Sequence, residues 1–258
     1  MALVGAIIGD IIGSQYEFPS MRPDNLDWKH CKLFSNECEF TDDTVMSIAT
    51  KYAIDHYECD FSKAYKEFGN KYPNVGYGDM FSKWITGEIS SYQSYGNGSA
   101  MRVSFIGDIT QDVDNIITLA NLSAECTHNS EEGVLGAIVI ASVIAMANSH
   151  CTKDDIQDFI TEQTDYDISQ SINSLQAQYI WSDTCRRTVP AAIRCFLDST
   201  DYESCIRNCL SLSCDMDTMC CIAGGMAEAF YGTTGFNNKA ILQKYLDDFL
   251  YKCIEDIL

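Results

Sequence analysis

Proline, basic residues and strand-like patterns are all scarce in this sequence. Only 4 prolines occur in 258 residues, so little interrupts a helix. Runs that alternate apolar and polar residues are nearly absent, which excludes a sheet-rich fold. The 17 Lys and Arg face 37 Asp and Glu, a formal charge of -20. That field repels a phosphate backbone and an anionic bilayer, so charge-driven nucleic-acid binding is not expected. No membrane partner is expected either: the longest apolar stretch, VLGAIVIASVIAMA at 134–147, is shorter than the roughly 20 residues of a bilayer span. The N-terminal MALVGAIIGDIIGS lacks the basic n-region of a signal peptide and carries Asp10, so it reads as a core helix. The 13 cysteines include no C-x-x-C pair; neither a zinc site nor a disulfide framework is supported, and reduced, mostly buried thiols in a cytoplasmic protein are expected. Gly/Pro/Ser-rich linkers and 20–50-residue repeats are missing too, leaving one compact multi-helix, all-α domain over 1–258.

What the chain does have is helical periodicity, with 46% hydrophobic residues to bury. The spacing predicts helices over 2–13, 44–57, 61–70, 112–126, 130–148, 152–163, 167–180, 184–198, 201–212, 217–231 and 237–250. The irregular stretches at 17–39, 72–78 and 90–98 hold much of the Gly, Asn and Tyr, and loops on a rigid scaffold are where function concentrates.

One such loop runs into FTDDTVMS at 40–47. Thr41 is a good N-cap, and Asp42 and Asp43 fall in the first turn, where acids favour a helix by roughly 0.3–1 kcal/mol each. Capping accounts for one site of this kind. A second, SCDMDTM at 213–219, sets Asp215, Asp217 and Thr218 at the start of another apolar helix. Two hydroxyl-plus-carboxylate clusters far apart in sequence offer hard-cation ligands, suited to Mg²⁺, Mn²⁺ or Ca²⁺ rather than zinc or copper. Four aspartates exceed the needs of one magnesium; if they converge, two bridged ions fit.

The loop SYGNGSAMRVS at 94–104 places Gly96 and Gly98 around Asn97, a composition that exposes backbone N–H groups and admits a ligand, or makes an ordinary Asn-Gly turn. GYGDMF at 76–81 is equally ambiguous. His128, in ECTHNSEEG just before a helix, is by itself no more than a structural hydrogen-bonding residue.

Together, GAIIGDIIGSQYEF, FTDDTVMS, GYG, SYGNGSAMR, CTHNSEEG and CDMDT leading into GGMAEAFYG resemble, in order and over almost the whole chain, the ADP-ribosylglycohydrolase family. The resemblance implies an all-helical fold with a two-magnesium centre (two Mg²⁺, or Mn²⁺) at the bottom of a cleft. It also implies cleavage at the anomeric carbon of the distal ribose of ADP-ribose borne by a protein, a nucleic acid or a small molecule. Carried over by position, the metal ligands are Thr41, Asp42, Asp43, Asp215, Asp217 and Thr218. Glu17, in GSQYEF, matches an acid of the branch acting on serine-linked and polymeric ADP-ribose; with Asp42 it is the candidate for assisting the attacking water. Gly76, Gly78, Ser94, Tyr95, Gly96, Asn97, Gly98 and Ser99 would line the ADP-ribose groove, with Tyr95 near a ribose and His128 at the phosphates or distal ribose.

This chain departs from the family pattern where Ser213 and Cys214 replace the usual glycines before the second acid cluster and Met216 separates its aspartates, which bears on substrate choice. The same pocket suits O-acetyl-ADP-ribose or ADP-ribose 1″-phosphate as substrates. A non-catalytic ADP-ribose-binding, immunity or crystallin-like role is the alternative of another class.

Overall fold

The computed structural model describes residues 1–18, 20–23 and 25–258. Among these residues every regular element is a helix, and the only extended pairing is an isolated antiparallel bridge between Gly96 and Thr184.

The centre of the molecule is a pair of helices from opposite ends of the chain, α1 (Ala2–Ser14) and α13 (Met216–Tyr231). Every residue of α1 is buried, which explains its lack of a polar face. The two backbones approach closely because glycines recur every fourth residue along α1. A methyl at Gly9 would lie 2.1 Å from the Cys220 carbonyl oxygen, and one at Gly13 would lie 2.5 Å from that of Met216. The start of α1 receives side-chain caps from afar: the Asp108 carboxylate accepts from the Ala2 and Leu3 N–H groups, and Glu228 accepts from Gly5. These satisfy donors that the first turn leaves open.

Around this pair pack α2 (Asp42–His56), α3 (Phe61–Lys71), α4 (Asp79–Thr86), the single turn α5 (Gly98–Met101), α6 (Ser104–Ile109), α7 (Val113–Glu125) and α8 (Glu131–Asn148). They are followed in sequence by α9 (Lys153–Gln163), α10 (Ile172–Gln178), α11 (Cys185–Leu197) and α12 (Tyr202–Leu210), with α14 (Asn238–Tyr245) and α15 (Asp248–Ile254) after α13. One hydrophobic cluster runs from Ala2 to Ile254. Glu131–Asn148 is long and apolar enough to cross a membrane by length and composition; here it packs against α5, α6, α7, α11 and α13.

Most of the periodicity holds, with three differences. The stretch expected as one helix over 237–250 is two, because Asp247 caps α15 by accepting from Leu250 N–H and Leu246 is extended. The helix expected over 167–180 contracts to α10, where Ser171 caps the start. The helices α4, α5 and α6 were not expected: each spans eight residues or fewer, too short to show a period. All 13 cysteines are free thiols.

Candidate metal centre and ligand cleft

The first acid cluster is built as the capping pattern demands. Thr41 is the extended N-cap of α2, its hydroxyl accepting from Asp43 N–H, and Asp42 and Asp43 occupy the first turn. Beneath them lies Asp10 of α1, fully buried. Its carboxylate accepts from Thr41 N–H (3.0 Å), Thr41 Oγ1 (2.8 Å), Thr44 N–H (3.1 Å) and Thr44 Oγ1. Three of the four donors converge on Asp10 Oδ2 and one on Oδ1. Its work is to pin the start of α2 against α1.

The second cluster comes from the start of α13. Asp215 is the N-cap residue, with Asp217 and Thr218 in the first turn. Thr218 Oγ1 donates to Asp43 Oδ2 at 3.1 Å, joining the clusters. The Asn97 side chain donates to Asp215 Oδ2 at 2.8 Å and to Thr188 Oγ1 at 3.2 Å, while its backbone N–H donates to the Asp183 carbonyl. One carboxylate oxygen from each of Asp10, Asp43 and Asp217 lies within 4.8 Å of the others.

So many carboxylates cannot all ionise in a buried site without a countercharge. Asp42, Asp43 and Asp217 are pushed well above the usual carboxylate range, first by burial and then by neighbouring carboxylates. Asp10 and Asp215 rise to about 6, again chiefly by burial, with hydrogen bonds from Thr44 and Asn97 opposing the shift. Asp43 Oδ1 is buried and has no hydrogen-bond partner. An orphaned carboxylate oxygen amid like charges fits a cation site, and the all-oxygen donor set suits a hard ion.

Asp42, Asp43, Asp215 and Asp217 line a cavity of about 360 Å³, a size common for small-molecule sites. Of the metal positions suggested by sequence, Asp42, Asp43, Asp215, Asp217 and Thr218 line it, and Thr41 sits at the helix cap outside the lining. Glu17 lines it from the loop after α1. A methyl at Gly76 would lie 3.2 Å from Asp42 Oδ1 and 3.9 Å from Glu17 Oε1, and Gly76 has φ +103°, so glycine is required there. Burial, followed by the charges of Asp215, Asp10 and Glu39, raises Glu17 to about 7.

The groove residues divide. Gly76, Gly78, Ser94, Gly96, Asn97, Gly98 and His128 line the cavity. Tyr95 and Ser99 do not: the Tyr95 side chain is 57% exposed and its carbonyl accepts from Cys185 N–H, while Ser99 is fully buried with its hydroxyl donating to the Gly133 carbonyl at 2.7 Å. Tyr95 and Ser99 flank the Gly96–Gly98 turn, whose three residues line the cavity. Sequence reading did not single out Asp10, Arg102, Tyr92 or Trp181. Asp10 carried a signal, a lone acid in an otherwise apolar buried helix.

A family model described as ADP-ribosylglycohydrolase matches residues 1–257. The chain belongs to the ADP-ribosylglycohydrolase family. It is therefore a hydrolase, a glycosidase acting on ADP-ribosyl bonds. Similar proteins include ADP-ribosylhydrolase ARH3 of Gallus gallus, 26% identical over 89% of this chain and 84% of the relative, and ARH3 of Homo sapiens, with the same identity and coverage. The alignment to the Gallus protein runs over 310 residues, more than this ADP-ribosylglycohydrolase has, so the relative carries insertions that this chain lacks. A solved structure titled ADP-ribosylglycohydrolase-related protein complex shares the fold, with a TM-score of 0.72 at 18% identity over 98% of this chain and 92% of the other.

Proposed function

We propose that this ADP-ribosylglycohydrolase is a Mg²⁺-dependent enzyme that cleaves the bond at the anomeric carbon of the distal ribose, releasing ADP-ribose from a protein, nucleic-acid or small-molecule acceptor. The observation that carries the reading is the convergence of two helix starts, with Asp43 Oδ1 left unpaired between them, at the floor of a cavity walled by glycine loops. The names of the ARH3 relatives support the same chemistry.

Two Mg²⁺, or Mn²⁺, would be held by Asp42, Asp43, Asp215, Asp217 and Thr218, with Thr41 at the adjoining cap. When bound, such ions supply Lewis-acid polarisation and offset the charge of an anionic ligand. The protein's own groups do the rest. Asp10 fixes α2, and Asn97 fixes Asp215 and ties the glycine loop to it, so the carboxylates are preorganised. Glu17, with a proton affinity suited to neutral pH, is placed to orient a water and accept its proton as the new C–O bond forms and the acceptor's bond breaks; that proton then passes to the departing acceptor. Asp42 faces the same side of the cleft. The free thiols support a reducing compartment, and we place the enzyme in the cytoplasm.

The test is release of free ADP-ribose, with and without Mg²⁺, from arginine-linked, serine-linked and polymeric substrates, alongside O-acetyl-ADP-ribose and ADP-ribose 1″-phosphate. Metal-dependent release supports the reading and names the linkage. Tight ADP-ribose binding with no release from any substrate overturns it in favour of a binding role.

A further inference from the structure

Arg102 is an anomaly in this chain. It is 1% exposed, yet no carboxylate pairs with it among the described residues. Its guanidinium instead lies 4.2 Å over the Tyr65 ring and donates from Nη2 to the Ser123 carbonyl (2.6 Å) in the last turn of α7 and to Thr127 Oγ1 (2.9 Å). A helix C-terminus and an aromatic face soften the cost of the buried charge without neutralising it. Arg102 also borders the ligand cavity.

Thr127 is fully buried, and its hydroxyl has a second neighbour, His128 Nδ1, at 2.8 Å. Guanidinium only donates, so Thr127 Oγ1 accepts from Arg102 and must place its own proton elsewhere. Tyr92 and Cys126 also neighbour this hydroxyl, but His128 Nδ1, at 2.8 Å, is the acceptor at hydrogen-bond distance. That assignment leaves the imidazole proton on Nε2, the edge that faces the glycine loop: a methyl at Gly98 would lie 3.1 Å from His128 Nε2, and one at Gly96 3.5 Å. Burial, with the Arg102 charge second, also holds His128 well below its ordinary value, in keeping with a neutral ring.

We infer that Arg102, acting through Thr127, is a positioning residue that fixes His128 as the neutral Nε2–H tautomer, so that it presents one N–H donor to an anionic oxygen of the ligand at the Gly96–Gly98 loop. The identity of that oxygen as a phosphate of ADP-ribose rests on the function proposed above; the tautomer does not. The relay gives the cleft a donor that cannot become an acceptor, which selects anionic or carbonyl oxygen at this point over a hydroxyl or amine proton.

Long-range ¹H–¹⁵N correlation of the imidazoles in the ¹⁵N-labelled protein, with His128 assigned by its loss in His128→Gln, reads the tautomer directly. The wild type should show the neutral Nε2–H form at pH 7. Thr127→Val, nearly isosteric, should lose the single-tautomer pattern and bind ADP-ribose about tenfold more weakly, as removal of one aligned charged hydrogen bond does, and Thr127→Ser should restore both. Arg102→Gln, whose amide also accepts, should give mixed tautomers. A wild-type ring protonated on Nδ1, or an unchanged tautomer and affinity in Thr127→Val, overturns the relay. Wild-type protein with the stated tautomer but no affinity for ADP-ribose would count for the relay and against the ADP-ribose reading.

Discussion

Thr218 Oγ1 donates to Asp43 Oδ2 at 3.1 Å across 175 positions of sequence. That bond joins the first turns of α2 and α13 and makes two acid clusters one site. Each cluster alone is a helix start with acids in its first turn; together they are a concentration of charge that needs a cation.

Removing a proposed ligand from the shared end should remove both chemistry and metal. In Asp217→Ala, turnover should vanish and the Mg²⁺-induced rise in Tm should be largely lost, whereas the wild type should gain about 2.7 kcal/mol at a metal concentration a hundredfold above Kd. Wild-type turnover in the variant would end the metal-centred reading.

Asp10 should act one step back. Asp10→Asn keeps the shape but replaces one acceptor oxygen with a donor facing the threonines that now bond to it. Mg²⁺ affinity, measured by titration calorimetry, should fall about 10–100-fold, the usual cost of a lost outer partner.

Glu17→Gln should lower turnover by about 10²–10⁴-fold, the range of a lost general acid–base group, while the Kd for ADP-ribose changes little. An unaltered rate would make Glu17 a solvated loop acid.

The metal-free protein should lose stability as pH rises. Asp10 and Asp215 start from 3.8 and reach about 6 in the fold, and burial carries Glu228, bonded to Gly5 N–H, from 4.5 to about 7. Between the unfolded and folded values the native state holds more protons than the unfolded chain, so stability present at about pH 4 declines through pH 6 to 7. Mg²⁺ should cancel the decline at the metal-site aspartates, because ligation favours their ionised forms and strengthens with pH. Melting curves from pH 4 to 8 in EDTA and in excess Mg²⁺ should diverge as pH increases; parallel curves would contradict a cation site here.

Gly13→Ala should disturb the site from behind. The new methyl would meet Met216 O at 2.5 Å and Asp217 Cα at 2.6 Å, forcing the first turn of α13 outward at a cost of about 1–3 kcal/mol and weakening Mg²⁺ binding. Gly225→Ala, where the nearest atom is Ala2 O at 3.4 Å, should be near neutral in Tm and metal affinity.

The sequence by itself determined the helices long enough to show a period, because 3.6-residue spacing and caps such as Thr41 are local properties of the chain. It determined the donor chemistry as well, since Asp42, Asp43, Asp215, Asp217 and Thr218 offer hard-oxygen donors wherever they lie. The tertiary structure alone decided that these residues meet. Their encounter depends on the glycine stripe that lets α1 and α13 come backbone to backbone, and on Asp10, whose role appears only when α2 lies across it. The Arg102–Thr127–His128 chain was hidden for the same reason: a proton's place on an imidazole is set by neighbours brought from the end of α5, from α7 and from the loop between α7 and α8, and no local pattern encodes which of them donates.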